Sequence, residues 1–430
     1  MRNNKFFIST LILMCSGLIT KILGFIIRII YTRIVGEEAI SLYTIVTPTY
    51  SLLITFATLA LPLAISKLVA ENKKRPQKIL INSGFIIMLV NIAIILIVFL
   101  CGEYIAVNLL KEPRATKLIY AMALTIPFIS ISSILKGYFF GKQKMFPNAL
   151  SNIIEQIIRI ILIILIIPKL IEKSIIYAVI GLILMSIASE TASIITFLCF
   201  APKKFTIKKS DIKPDLGTFN DILSISVPTV SSRLVGNIGF FFEPILLTNI
   251  LLYSGFSNNY ILANYGAYNA YAISLLTLPS FFIMAICSSI VPEISKFYCH
   301  NNLTWVRKRF KQATILSFII GLLFSLLIMA FRDSLLSLLY KTTTGSEFIK
   351  VLGPIFVLFY LEGPLTSTMQ AIGKAKTSFA ITFLGIVVKL SVMSLLSFAG
   401  LGIYALIYAE IINIIFVVSL NSIFIKKYLF

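Results

Sequence analysis

Residues 79–102 read ILINSGFIIMLVNIAIILIVFLCG, with no charged side chain among them. A bilayer core about 30 Å thick is crossed by roughly 20 apolar residues in a helix, so this stretch can span it. It shows no barrel-type alternation, which leaves a helix as the structure that satisfies every backbone group in lipid. Outward from it, similar runs cover 6–31, 42–65, 118–140, 149–167 and 175–200. More follow at 222–252, 263–291, 313–331, 348–372, 379–399 and 403–425. The expected fold is therefore an all-α integral membrane protein of about twelve transmembrane helices.

Composition points the same way: 58% of residues are hydrophobic and 13% charged, against roughly 25% charged in soluble domains. The net charge of +21 would suggest nucleic acid on a soluble chain. Here the basic residues cluster in short loops between apolar runs, so no nucleic-acid partner is expected and the pattern is positive-inside. The clusters are Lys67, Lys73, Lys74, Arg75 and Lys78; Lys142 and Lys144; Lys203, Lys204, Lys208, Lys209 and Lys213; Lys296, Arg307, Lys308, Arg309 and Lys311; and Lys374 and Lys376. Both ends are basic too, with Arg2, Lys5, Lys426 and Lys427, whereas 253–262 and 400–402 carry no charge. Both termini are thus expected in the cytoplasm of a bacterial inner membrane. The run at 6–31 lacks a small-x-small cleavage site and reads as a retained helix.

Five scattered cysteines without a C-x-x-C pair, and one histidine, His300, give no zinc ligand set. Loop carboxylates do not cluster as acid–base chemistry at a membrane surface requires. No catalytic residue, metal or cofactor is expected, and an enzyme is disfavoured; a coupling cation, H⁺ or Na⁺, stays open.

The polar connector 201–218 (APKKFTIKKSDIKPDLGT) separates an expected N-terminal lobe, 1–200, from a C-terminal lobe, 219–430. Three local echoes relate them. Thr20-Lys21-Ile22-Leu23-Gly24 resembles Ser232-Arg233-Leu234-Val235-Gly236. Pro62-x-x-Ile65-Ser66-Lys67 resembles Pro292-x-Ile294-Ser295-Lys296, and Gly141-Lys142-x-Lys144 resembles Gly373-Lys374-x-Lys376. The offsets are 212 (Gly24 to Gly236), 229 (Ser66 to Ser295) and 232 (Gly141 to Gly373). With six helices per lobe, the halves share one orientation and read as parallel repeats about the membrane normal, with the substrate route between them.

A charge at bilayer depth costs roughly 2.5–3.5 kcal/mol on insertion scales, so each such residue is a site candidate. Lys21 and Arg28 are seven residues apart, about two turns, and share a helix face; Arg28, near a helix end, also suits snorkelling to the interface. Arg233 falls near the midplane of its run. Glu155 and Arg159 are an i, i+4 pair that serves either packing or a cavity. Glu243 and Lys389 complete the cavity candidates, while Lys136, Glu190 and Glu410 lie near boundaries and read as anchors. Lys21 and Arg233 each precede a glycine by three residues and have no carboxylate within four residues. Facing each other, they would suit a pyrophosphate. Gly24 and Gly236 are the hinge candidates, with close packing the competing explanation.

The stretches 11–29 (LILMCSGLITKILGFIIRI), 41–71 (SLYTIVTPTYSLLITFATLALPLAISKLVAE) and 135–160 (LKGYFFGKQKMFPNALSNIIEQIIRI) resemble the sporulation-protein branch of the MOP flippase superfamily. That superfamily also holds lipid II flippases, polysaccharide exporters and MATE drug exporters. The resemblance implies a two-lobed fold and alternating access for a polyprenyl-pyrophosphate-linked saccharide in cell-wall or spore-cortex synthesis. Its implied partners are that lipid-linked saccharide, membrane lipid and cell-wall synthesis proteins. Lys21 and Arg28 resemble basic residues of the family's first helix, Lys21 standing where arginine is usual; Arg233 resembles a basic cavity residue of the second lobe. Two departures are expected to matter. The run 42–65 carries no charge where lipid II flippases place an arginine, and the chain has twelve runs where they have fourteen helices. A MATE-like drug or ion antiporter and a non-transporting scaffold are the alternatives.

Overall fold

The computed structural model describes residues 2–202, 208, 211 and 213–429; the connector lysines Lys203, Lys204 and Lys209 lie outside the described residues. Among those described, every regular element is helical. The run at 79–102 lies in α3 (Pro76–Tyr104), which starts on a proline whose missing N–H is harmless at a helix start. Met88, Leu89, Ile92, Leu96 and Leu100 of α3 are exposed, while Asn82, Ser83, Ile86 and Asn91 point inward. An apolar outside with polar groups inside is the arrangement that lipid favours.

Eleven helical segments among the described residues are long and apolar enough to cross a membrane. The first combines α1 (Arg2–Thr58) with α2 (Leu61–Glu71). Inside α1, Gly36 takes φ 77° and ψ −177°, a conformation that glycine adopts without steric cost. The rings of Tyr31 and Tyr43 lie 6.0 Å apart, whereas twelve residues of straight helix would separate their Cα atoms by about 18 Å. The chain therefore folds back at Gly36, and this segment holds two crossings. With the ten others, that makes twelve among the described residues.

By contacts the described chain forms two compact units, 1–241 and 242–430. The first contains α1 to α3, α4 (Ala115–Gly141), α5 (Met145–Ile171), α6 (Ile175–Cys199), the described part of the connector and the start of α7 (Leu216–Tyr253). Its core draws Leu61, Ile65 and Val69 from α2, Ile79 and Ile86 from α3, Tyr138 and Phe139 from α4, Phe197 from α6 and Ile222 from α7. Two glycines let α4 approach α2 closely. A Cβ on Gly137 would sit 2.9 Å from the Pro62 Cα, and one on Gly141 would sit 2.8 Å from the Ser66 carbonyl oxygen.

The second unit corrects one expectation. The run 263–291 is broken into α8 (Asn258–Gly266), a π-helical turn (Ala267–Ile273), α9 (Ser274–Thr277) and α10 (Ser280–Cys299). Pro279 at the last break lacks the N–H and crowds the preceding turn. The wide turn and its flank bury Tyr265, Tyr268 and Tyr271 almost completely. There follow α11 (Leu303–Ala330), α12 (Arg332–Tyr340), α13 (Ser346–Ala371), α14 (Ala375–Phe398) and α15 (Tyr404–Leu429).

The echoed motifs meet one another inside each unit. In the first, Ser66 backs onto Gly141 at the end of α4; in the second, the Ser295 hydroxyl donates to the Ala371 carbonyl at the end of α13, 3.1 Å away. Hydrogen bonding shifts the register of the third echo. Gln143 N and Lys144 N close the end of α4 on Phe140 O and Phe139 O, while Gly373 N and Lys374 N close α13 on Gln370 O and Met369 O. This is the Schellman closure, with a left-handed residue just past the helix: Gln143 at φ 56° and Gly373 at φ 78°. Gly373 thus corresponds to Gln143, an offset of 230 (373 − 143), rather than to Gly141.

Candidate functional site: charges within the helices

In the first unit, α4, α5 and α6 bring four charges together. Glu155 on α5 accepts from Arg159 Nη2 at 3.3 Å, and its other oxygen lies 3.5 Å from Lys136 Nζ of α4. Arg159 Nη2 also donates to Ser189 Oγ of α6 at 3.0 Å. Glu190, 7% exposed, is within Coulombic reach of Lys136, Glu155 and Arg159. Two cations thus stand against two carboxylates on three helices. Lys136 and Glu190, expected as boundary anchors, are members of this cluster.

In the second unit, Lys389 Nζ on α14 lies 2.6 Å from Glu243 Oε2 of α7 and 2.6 Å from Glu410 Oε2 of α15. Tyr265 Oη donates to the other Glu243 oxygen at 3.2 Å, and Glu243 is only 3% exposed. Leaving a charge unmatched in so dry a setting is costly, so the triad binds three helices together through one ammonium. Glu362 on α13 lies within Coulombic reach of Glu410. The sequence singles out Glu243 and Lys389, but their link through Glu410 is three-dimensional and has no local signal.

The remaining candidates are placed differently. Lys21 on α1 and Arg233 on α7 are exposed, and neither has a carboxylate partner among the described residues. Arg28 is half-buried and has a partner. Both Lys21 and Arg233 belong to the first unit by contacts. Four residues past Arg233, Asn237 Nδ2 donates to Thr55 Oγ1 of α1 at 2.7 Å. A Cβ added to Gly24 or Gly236 would meet nothing within 4 Å, so neither glycine is required for helix packing.

The start of α7 is tied down by charge as well. Lys74 Nζ lies 2.6 Å from Asp221, Arg75 Nη1 lies 2.7 Å from the buried Asp211, and Lys78 Nζ lies 2.9 Å from Asp215. The Thr218 hydroxyl and the Lys78 ammonium hold the Asp215 carboxyl down to about 2.

Residues 8–298 match the family model described as polysaccharide biosynthesis protein. The chain belongs to that family. Residues 244–395 of this polysaccharide biosynthesis family member also match the MatE model. It is similar along its whole length to Stage V sporulation protein B of Bacillus subtilis (strain 168), at 34% identity over 440 residues, covering 100% of this chain and 85% of that protein. Lipid II flippase MurJ of the same organism is 25% identical over 166 residues, 36% of this chain and 30% of that one. Among solved structures, an inward-facing multidrug resistance MATE family transporter of the MOP superfamily shares the fold at TM-score 0.73 and 15% identity, covering 95% of this chain and 94% of that one. A MOP superfamily transporter from Pyrococcus furiosus does so at TM-score 0.68 and 14% identity, with 98% and 95% covered. This family member is a multi-pass membrane protein with the fold of the MATE transporters.

Proposed function

We propose that the chain flips a polyprenyl-pyrophosphate-linked saccharide, of the lipid II kind, across a bacterial inner membrane by alternating access. The flow serves cell-wall or spore-cortex synthesis, with cell-wall synthesis proteins as partners and both termini in the cytoplasm. The observation that carries the reading is the exposure of Lys21 and Arg233 on apolar helices without a carboxylate partner among the described residues. A cation left in this state at bilayer depth needs water or an anionic ligand, and pyrophosphate is the anion such a substrate brings. Arg28, two turns from Lys21, extends the same basic face. Gly24 and Gly236, with open space where a Cβ would be, serve as points of bending next to these cations.

Purified protein in liposomes, loaded with fluorescent lipid II and exposed to an outside quencher, tests the reading. It should make the inner-leaflet lipid accessible faster than empty vesicles do. Equal rates in protein-containing and empty vesicles would leave the scaffold alternative standing. Imposed proton and sodium gradients, applied in turn, identify the coupling cation.

A further inference from the structure

At one end of the second unit a cleft of about 540 Å³ opens between the starts of α8, α13 and α15. It lies at the opposite end of α13 from the Ser295–Ala371 junction, about 39 Å away for a helix of 26 residues. With both termini in the cytoplasm, as proposed above, this end lies on the outside of the membrane. The volume falls within the range of small-molecule sites, roughly 300–1,000 Å³.

The lining has a consistent chemistry. Tyr260 and Tyr404 are half-buried and present aromatic rings; Tyr404 is braced edge-on by the buried Phe348, centroids 6.0 Å apart. Asn264 offers an amide, and Asp333 and Glu347 offer carboxylates. Both carboxylates are already matched: Arg332 Nε lies 3.7 Å from Asp333 Oδ2, and Lys350 Nζ lies 3.9 Å from Glu347 Oε2. The Ser346 hydroxyl accepts from Arg332 Nε at 2.9 Å and donates to Asp333. The backbone shape is fixed by Gly345 at φ 90°, where a Cβ would press within 3.1 Å of the Ala267 carbonyl oxygen.

We propose that this cleft binds an uncharged saccharide. A sugar ring offers C–H faces to stack on tyrosines and hydroxyl donors for carboxylate and amide oxygens. A phosphate would meet two carboxylates, and the residues that line the cleft include no cation, since Arg332 and Lys350 lie outside the lining. A simple cation would find both carboxylates already partnered, and a lipid chain would bury the Asp333 and Glu347 carboxylates and the Asn264 amide against hydrocarbon. The proposal does not depend on the transported substrate, because the cleft takes the sugar without its lipid or phosphate.

Saturation-transfer NMR on the full chain in nanodiscs, with maltose, cellobiose and N,N′-diacetylchitobiose as separate probes, tests it. At least one disaccharide should receive saturation at its ring protons. Tyr404→Ala should weaken that binding about tenfold, the size of one lost aromatic contact of about 1.4 kcal/mol, and the exposed Glu347→Gln should weaken it severalfold. Glu347→Gln keeps the test decisive should Tyr404→Ala fold poorly. Inorganic pyrophosphate should not displace the sugar, and Lys21→Ala should leave the signal intact. No transfer from any of the three probes would overturn the proposal. So would equal transfer in a well-folded Glu347→Gln variant, displacement by pyrophosphate, or loss of signal in Lys21→Ala.

Discussion

The Glu243–Lys389–Glu410 triad and the Lys21–Arg233 pair are built from the same chemistry on the same kind of helix, yet they differ in what the charges meet. Lys389 contacts two carboxylates from two other helices at 2.6 Å each. Lys21 and Arg233 are exposed and have no carboxylate partner among the described residues. The Lys136–Glu155–Arg159–Glu190 cluster of the first unit sides with the triad. Depth alone does not turn a charge into a binding site. A charge already committed to its neighbours holds helices together, and one left uncommitted is available to a ligand.

The largest effect should come from removing the triad's cation. Lys389→Met leaves Glu243, 3% exposed, beside Glu410 with no counter-charge. Breaking a buried pair in this way costs about 3–5 kcal/mol. Folded yield and the thermal midpoint in detergent should both fall, and adding Glu243→Gln should recover part of the loss. A variant as stable as the parent would mean that the triad is hydrated and anchors nothing.

Glycine substitutions sharpen the same contrast at a smaller scale. Gly137→Leu drives a side chain into the Pro62 backbone and should cost about 1–3 kcal/mol by overpacking. Gly24→Ala and Gly236→Ala enter open space and should leave stability unchanged or raised by up to about 1 kcal/mol. Slower flipping by these two stable variants supports bending at those points; unchanged flipping removes the hinge assignment.

The smallest effect concerns the ionic tether of the connector. The Asp215 carboxyl is held below its ordinary value of 3.8, at about 2, by Thr218 and Lys78. A depressed carboxylate contributes stability above its unfolded value and loses it as pH falls through the folded one. Hydrogen exchange at residues 213–221 should therefore stay slow at pH 5 and quicken as pH drops from about 4 toward about 2, a change that Asp215→Asn removes. Exchange that is equally slow at pH 2 would separate the tether from this carboxylate.

Much of this architecture was legible in apolar run length. Each run from 6–31 to 403–425 corresponds to a crossing, because lipid leaves a helix few alternatives. The fold-back at Gly36 lay between two such runs, and Pro279 carried the signal for the broken eighth crossing. Partners across helices were not legible. Lys389 meets Glu243, 146 residues away, and no local spacing announces that. Lys136, Glu190 and Glu410 look like boundary residues for the same reason, since position along a helix does not reveal which neighbour the side chain reaches. The cleft at Tyr260 and Tyr404 is likewise assembled from three distant loops.

On the proposed function, uncommitted cations, unlike paired ones, serve transport. Flipping of fluorescent lipid II per molecule of Lys21→Ala and Arg233→Ala, normalised to folded protein in the vesicles, tests it most directly. A lost charge-assisted contact is worth about 1.5–3 kcal/mol, or roughly ten- to a hundred-fold in affinity. Both variants should therefore keep nearly normal abundance and thermal midpoint while flipping at least tenfold more slowly at limiting substrate. Lys21→Arg should retain activity, and Arg233→Lys should lose part of it with the bidentate fork. Full activity per molecule in both alanine variants would contradict the account.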